Sequence, residues 1–197
     1  TMIRRFFLPM LATLTGVASQ AQVIDFEDVP NADPFFTLHG DTVLSGGFQF
    51  ASVFEVGLPE AIASWGSSMS LYTGSVAIFA NYPNDVLAMT IIGGGAFDVS
   101  SIDMADALLN PINQTVTFIG TRADTTTVTN QITLTNSSSL NTYFFSGMTN
   151  IVSLTMDDTN DSAFQIDNIN TAVPEPATLI ALSIGMIAMR KRRSKAS

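Results

Sequence analysis

Apolar and polar residues alternate in short runs through most of the middle of the chain. Thr115-Val116-Thr117-Phe118-Ile119, Gln131-Ile132-Thr133-Leu134-Thr135, Ile151-Val152-Ser153-Leu154-Thr155-Met156 and Phe164-Gln165-Ile166-Asp167-Asn168-Ile169 put Val, Ile, Leu and Phe on one side and mostly Thr, Ser or Gln on the other. A period of two is the signature of strands with one face in a core and one in water. Similar runs at 23–26, 47–53, 75–79, 86–92, 97–104 and 127–129 bring the number to about ten, each bounded by Gly, Asn, Asp or Ser. Ten short strands between Gln22 and Val173 predict an all-β fold, a jelly-roll-like β-sandwich. Helix is predicted only at 59–63 and over 104–109, where Pro111 stops it. Gly93-Gly94-Gly95 lies between two predicted strands without the Lys of a phosphate-binding loop, and predicts a turn.

Both ends break the alternation. After Met2 come Arg4 and Arg5, an apolar stretch over 6–17 and the small residues Ala18, Ser19 and Ala21, the layout of a secretory signal peptide cut before Gln22. The other end runs from Val173-Pro174-Glu175-Pro176 into thirteen uncharged residues, 177–189, and closes on Arg190, Lys191, Arg192, Arg193 and Lys195. As a helix those residues would span roughly 20 Å at about 1.5 Å per residue. That is short of the roughly 30 Å hydrocarbon layer, but basic side chains at the end can snorkel to the headgroups. The positive-inside rule puts both basic ends in the cytoplasm, with the body between them exported. The expected organisation is a signal peptide over 1–21, a sandwich over 22–172 and a tail over 173–197 whose short membrane helix is 177–189.

Pro174, Glu175 and Pro176, followed by an apolar segment and a terminal basic cluster, resemble the PEP-CTERM sorting signal of bacterial exported proteins. The two prolines end the preceding strand and hold the segment extended, as suits a site that an enzyme grips. The resemblance implies removal of the front signal by signal peptidase and recognition of the tail by a membrane-embedded exosortase-type enzyme. It also implies transient residence in the cytoplasmic membrane, a mature form at the cell surface or beyond, and a host that makes extracellular polysaccharide.

Charge then narrows the chemistry of the body. Between Gln22 and Val173 a single basic residue, Arg122, faces sixteen acids, a net charge of −15. Nucleic acids and anionic lipids need Lys and Arg to displace their counterions, so nucleic acid is excluded as a partner. The chain has no cysteine, which removes disulfides, thiol catalysis and thiolate metal sites.

Ile24-Asp25-Phe26-Glu27 and Phe164-Gln165-Ile166-Asp167-Asn168-Ile169 resemble the first and last strands of jelly rolls similar to carbohydrate-binding modules. In those domains an acid from each terminal strand often joins a structural calcium site. The resemblance therefore implies calcium at Glu27 or Asp25 with Asp167, and Asp28 stands close enough in sequence to join them. Calcium takes six to eight oxygen ligands, and a strongly acidic surrounding favours it. Asp157-Asp158-Thr159-Asn160-Asp161 lacks the central Gly and the distant Glu of a calcium loop and predicts an exposed turn. Trp65, Tyr72 and Tyr82 are candidates to stack on sugar rings, although such aromatics more often belong to a core. His39, the single histidine, is expected in a solvated loop, with no G-x-S-x-G elbow to supply a nucleophile. Glycoside hydrolysis needs two opposed carboxyl groups, and the three glutamates of the body, Glu27, Glu55 and Glu60, show no tight pairing. The expected function is a non-enzymatic envelope or extracellular-matrix protein that binds polysaccharide. Its alternatives are a secreted glycan-cleaving enzyme and a membrane-tethered binding subunit.

Overall fold

The computed structural model describes residues 19–54, 56–82, 85–108, 114–135, 137–158 and 163–174. Residues 20–173 form one compact unit. Residues 1–18 of the expected signal peptide, with the signal helix expected there, the helix over 177–189 and Glu175 and Pro176 of the tail lie outside the described residues, whereas Ser19, Gln20 and Ala21 begin a strand.

Among the described residues thirteen strands make two sheets. They are β1 (Ser19–Ile24), β2 (Phe36–Gly40), β3 (Thr42–Ser45), β4 (Phe48–Ser52), β5 (Ile62–Trp65), β6 (Ile78–Ala80) and β7 (Val86–Ile91). β8 (Asp98–Asp106), β9 (Gln114–Arg122), β10 (Thr127–Leu134), β11 (Asn141–Phe144), β12 (Ile151–Asp158) and β13 (Phe164–Pro174) complete them. One sheet has the order β11-β8-β13-β6-β5-β2, with β1 also on β13; the other runs β10-β9-β12-β7-β4-β3. From β6 to β9 each successive strand crosses to the opposite sheet, as do β12 and β13, which is the connectivity of a jelly roll. The all-β sandwich expected from the alternation is therefore the fold of this chain.

The sheets enclose a core built largely from phenylalanine. Phe26 meets Phe50 edge to face at 4.9 Å between ring centres, and Phe48 meets Phe97 at 5.2 Å. Phe26, Phe48, Phe50, Phe97 and Phe118 are essentially inaccessible to solvent. A second, smaller cluster joins Ala63, Phe79 and Ala107 to Phe36, Trp65 and Ala163. Alternate residues of β5 and β6 divide between the clusters: Ile62, Ile78 and Ala80 enter the main core, whereas Ala63 and Phe79 enter the small one. That part of the first sheet is buried on both faces.

Two expectations of helix fail. Residues 59–61 form a turn that leads into β5, and Met104 to Asp106 belong to β8. The few helix-forming residues at 59–63 are overridden by pairing, since Ile62 sits opposite Ala80 and Ala63 opposite Phe79 on β6. The glycine run is a turn as expected, with Gly93, Gly94 and Gly95 at φ of 85°, 83° and 129°, a region open to Gly at little cost.

A crowded acid cluster and a rigid cleft

The first and last strand regions do come together, and they bring acids with them. Ser75 Oγ donates a short hydrogen bond to Asp167 Oδ2, and the next residue, Val76, donates its N–H to Glu27 Oε1 at 3.2 Å. One two-residue segment thus links the two acids expected to share a site. Asp167 also stands directly opposite Asp103 in the β8–β13 ladder, and like charges in such a pair repel. Burial, with the carboxylates of Asp103 and Glu27 adding to it, pushes Asp167 up to about 6 despite hydrogen bonds from Ser75 and the Asn168 N–H. Asp167 is fully buried while Glu27 is exposed.

The backbone around these acids is unusual. Phe26, between Asp25 and Glu27, has φ of 54°, and Asn168, next to Asp167, has φ of 44°. A bulky non-glycine residue pays of order 1–3 kcal/mol to sit there. At Asn168 the β8–β13 register shifts between Asp167 and Asn170, so a bulge turns the strand beside its buried acid. Asn168 Nδ2 then donates to Asp103 Oδ2 at 3.0 Å, and Thr142 Oγ1 donates to Asp103 Oδ1 at 2.6 Å.

Asp25 is exposed and accepts the Glu27 N–H at 3.3 Å. Asp28 turns to another loop, where it accepts from Ser45 Oγ at 2.5 Å and from the Gly46 N–H at 3.2 Å. Asp103, Ser75 and Asn168 were not legible as members of the cluster, because only strand register and the bulge bring them to it. Among the described residues no three Asp, Glu or His groups converge closely enough to hold a metal ion by themselves. A cation would need backbone and hydroxyl oxygens beside the two carboxylates, donors of the hard kind that calcium accepts.

The candidate aromatics separate. Trp65 stacks on Phe79 at 5.2 Å, packs against Phe36 at 5.2 Å and donates its indole N–H to the Ala107 carbonyl at 3.1 Å. Tyr82 lies beyond the Ile62–Ala80 end of the β5–β6 pair, with its hydroxyl 3.3 Å from Glu60 Oε2. Tyr72 lies beyond the opposite end, where it helps to line a cleft of about 290 Å³ with Asn31, Asp33, Pro34, Ser67 and Val76.

The walls of that cleft are pressed together. A Cβ on Gly66 would meet the Asp33 carbonyl oxygen at 2.2 Å and that of Pro34 at 2.4 Å, so glycine alone lets the loops touch backbone to backbone. Gly66 N–H donates to the Phe35 carbonyl at 3.0 Å and Ser68 N–H to the Pro34 carbonyl at 2.7 Å. Asn31 is fixed by Thr37 at 2.8 Å, Ser64 at 3.3 Å and the Trp65 carbonyl at 3.3 Å.

His39 departs from its expected solvated loop. It is a half-buried residue of β2 whose Nε2 lies 2.8 Å from Ser64 Oγ, and burial lowers its pKa. Ser64 is completely buried, so this pair offers no nucleophile to a substrate. Asp157 and Asp158, expected in an exposed turn, lie in β12, where Asp158 is buried and accepts from Gln114 Nε2 at 2.6 Å. The rest of that acidic run falls outside the described residues. Arg122 donates to the Thr149 and Gly147 carbonyls at 3.2 and 3.1 Å, so the body's single cation is held by the backbone near the start of β12.

Residues 172–193 match the PEP-CTERM protein-sorting motif, which indicates an exported protein. The match begins inside β13. No curated protein matches the chain. Among solved structures, a family 29 carbohydrate-binding module is similar with a TM-score of 0.46 and 13% identity, over 79% of this chain and 90% of that one. A variant of CBM29-2 complexed with mannohexaose gives a TM-score of 0.47 and 13% identity, over 79% and 93%. Among the described residues no helix is long and apolar enough to cross a membrane.

Proposed function

We propose that this chain is an exported, non-enzymatic β-sandwich of the cell envelope or extracellular matrix, delivered through its C-terminal signal and binding polysaccharide there. The observation that carries the delivery is the sorting motif over 172–193, which begins inside β13. In this reading signal peptidase removes the front segment, an exosortase-type enzyme processes the tail around Pro174, Glu175 and Pro176, and the membrane holds only the precursor. A body with net charge −15 stays soluble after release and is repelled by polyanions, so its polymer partner is neutral or bridged by divalent cations.

Calcium fits the acid cluster as a structural ion. Glu27 and Asp167 would hold it, with Asp25 near the same turn, and the bound ion would offset both the burial that chiefly lifts the Asp167 pKa and the carboxylates that add to it. The chain's own part is to keep Ser75 and Val76 in place between the two acids.

A glycan-cleaving enzyme would also use a carboxyl with a raised pKa beside an ionised one. Asp167 is sealed from solvent and cannot reach a glycosidic oxygen, and the cleft is lined by one carboxylate, Asp33. Both points favour binding without cleavage. The test is export in an exosortase-bearing host. The variant Pro174→Ala/Glu175→Ala/Pro176→Ala should stay in the membrane fraction while the parent chain reaches the surface or medium. Identical distribution of the two would refute the sorting role.

A further inference from the structure

The cleft between the 31–34 and 66–72 loops is built rather than incidental. Its walls meet at Gly66, where any side chain would collide with backbone, and Asn31 is held by three hydrogen-bond partners before any ligand arrives. Asp33 is fixed too, its Oδ1 accepting from the Phe35 and Phe36 N–H groups at 2.7 and 3.3 Å. Preorganised walls spare a ligand the cost of ordering them.

Its chemistry is selective. Among the described residues nothing hydrogen-bonds Asp33 Oδ2, Ser67 Oγ or the Tyr72 hydroxyl, so an acceptor and two hydroxyls stand unspent around one small space. Pro34, Val76 and the Tyr72 ring add apolar surface among them. No Lys, Arg or His lines the cleft, and the Asp33 carboxylate repels phosphates, sulfates and uronic acids. A pyranose offers the complement, a ring of hydroxyls around an apolar face, and about 290 Å³ is at the small end of ligand pockets.

We infer that this cleft binds one neutral hexose unit of a polysaccharide, with Asp33 and Ser67 bonding its hydroxyls and Tyr72 packing on its face. This assignment rests on the polysaccharide-binding reading above and adds to it the place and the charge class of the sugar. It also separates Tyr72, which binds, from Trp65 and Tyr82, which do not.

The test uses the full chain in a non-glycosidic detergent, titrated calorimetrically with gluco-, manno- and galactohexaose and with hexagalacturonate. Binding of at least one neutral hexaose, none of the uronate, and at least tenfold weaker binding by both Tyr72→Ala and Ser67→Trp would support the assignment. Ser67 is exposed, so Ser67→Trp fills the cleft without removing a core contact; both variants should melt within a few degrees of the parent, and Tyr82→Ala should bind as the parent does. If the parent binds a neutral hexaose and the two variants bind it equally well, the cleft is wrong while polysaccharide binding stands. Preference for the uronate overturns the charge class. Binding to none of the four sugars removes the polysaccharide reading and the cleft together.

Discussion

The two sheets of this sandwich bury acids for different reasons. At one end of the second sheet, buried Asp85 gathers three donors on Oδ1, namely Ser52 Oγ at 2.9 Å, Val86 N–H at 2.8 Å and Phe54 N–H at 3.3 Å, while among the described residues its buried Oδ2 has no hydrogen-bond partner. It pins a loop to a strand. In the first sheet Asp167 is buried opposite another acid, near a third, and beside a bulge whose Asn168 is left-handed. Under the proposed calcium site, a bound cation would offset the repulsion among these acids. The two acids differ in charge rather than in hydrogen bonding: Asp167 has a donor on each oxygen but two other carboxylates nearby, whereas Asp85 has three donors on Oδ1 and none on Oδ2.

The largest way to sharpen the comparison is a core truncation in the second sheet. Phe118→Ala should destabilise the sandwich by about 3–5 kcal/mol in urea titration, because it opens a cavity where Phe118 meets Phe145 at 4.9 Å. The loss should be the same with and without calcium, since Phe118 has no part in the acid cluster.

Next comes the pH dependence of Asp167. Its folded pKa, about 6, is raised above the ordinary 3.8, so the folded chain holds this proton more tightly than the unfolded one. The stability that this gives is full at low pH and is lost as pH rises through 6, by about 3 kcal/mol if the whole shift is expressed. Without calcium, Asp167→Asn should therefore gain stability relative to the parent as pH rises from about 4 to about 6 and keep that gain above it, as read by denaturant midpoints at each pH. Parallel pH profiles for the two would place the burden elsewhere. The smallest expected effect is at the wet edge of the second sheet. Thr129→Ala, on the exposed side of β10, should change stability by no more than about 0.5 kcal/mol, measured in the same titration.

The same contrast explains what could be read from the chain. β9 and β12 alternate cleanly because only one face of each is buried, and β10 keeps the pattern toward its end, with Ile132 and Leu134 inside. β5 and β6 read Ile-Ala-Ser-Trp and Ile-Phe-Ala and are buried on nearly every residue, so no period of two survives. β2, β3 and β11 are short strands at sheet edges, where few apolar residues are needed, and β2 went unmarked along with the real place of His39. The nearness of Glu27 and Asp167 was legible through a resemblance of terminal strands. Asp103 was not, because only the β8–β13 register sets it opposite Asp167. The cleft was half legible: Tyr72 stood out as an aromatic with a polar edge, whereas Gly66 and Asn31 acquire meaning only from a contact between two loops far apart in sequence.

The most direct measurement is the melting temperature of the full chain at pH 7 across a calcium titration, for the parent and for Asp167→Asn. Mass action predicts a rise of about 5–10 °C for the parent at a hundredfold excess over the dissociation constant. Asp167→Asn should show little or none of it. An equal rise in both chains, or a parent that melts at one temperature from zero to millimolar calcium, would contradict the cation site at the crowded acids.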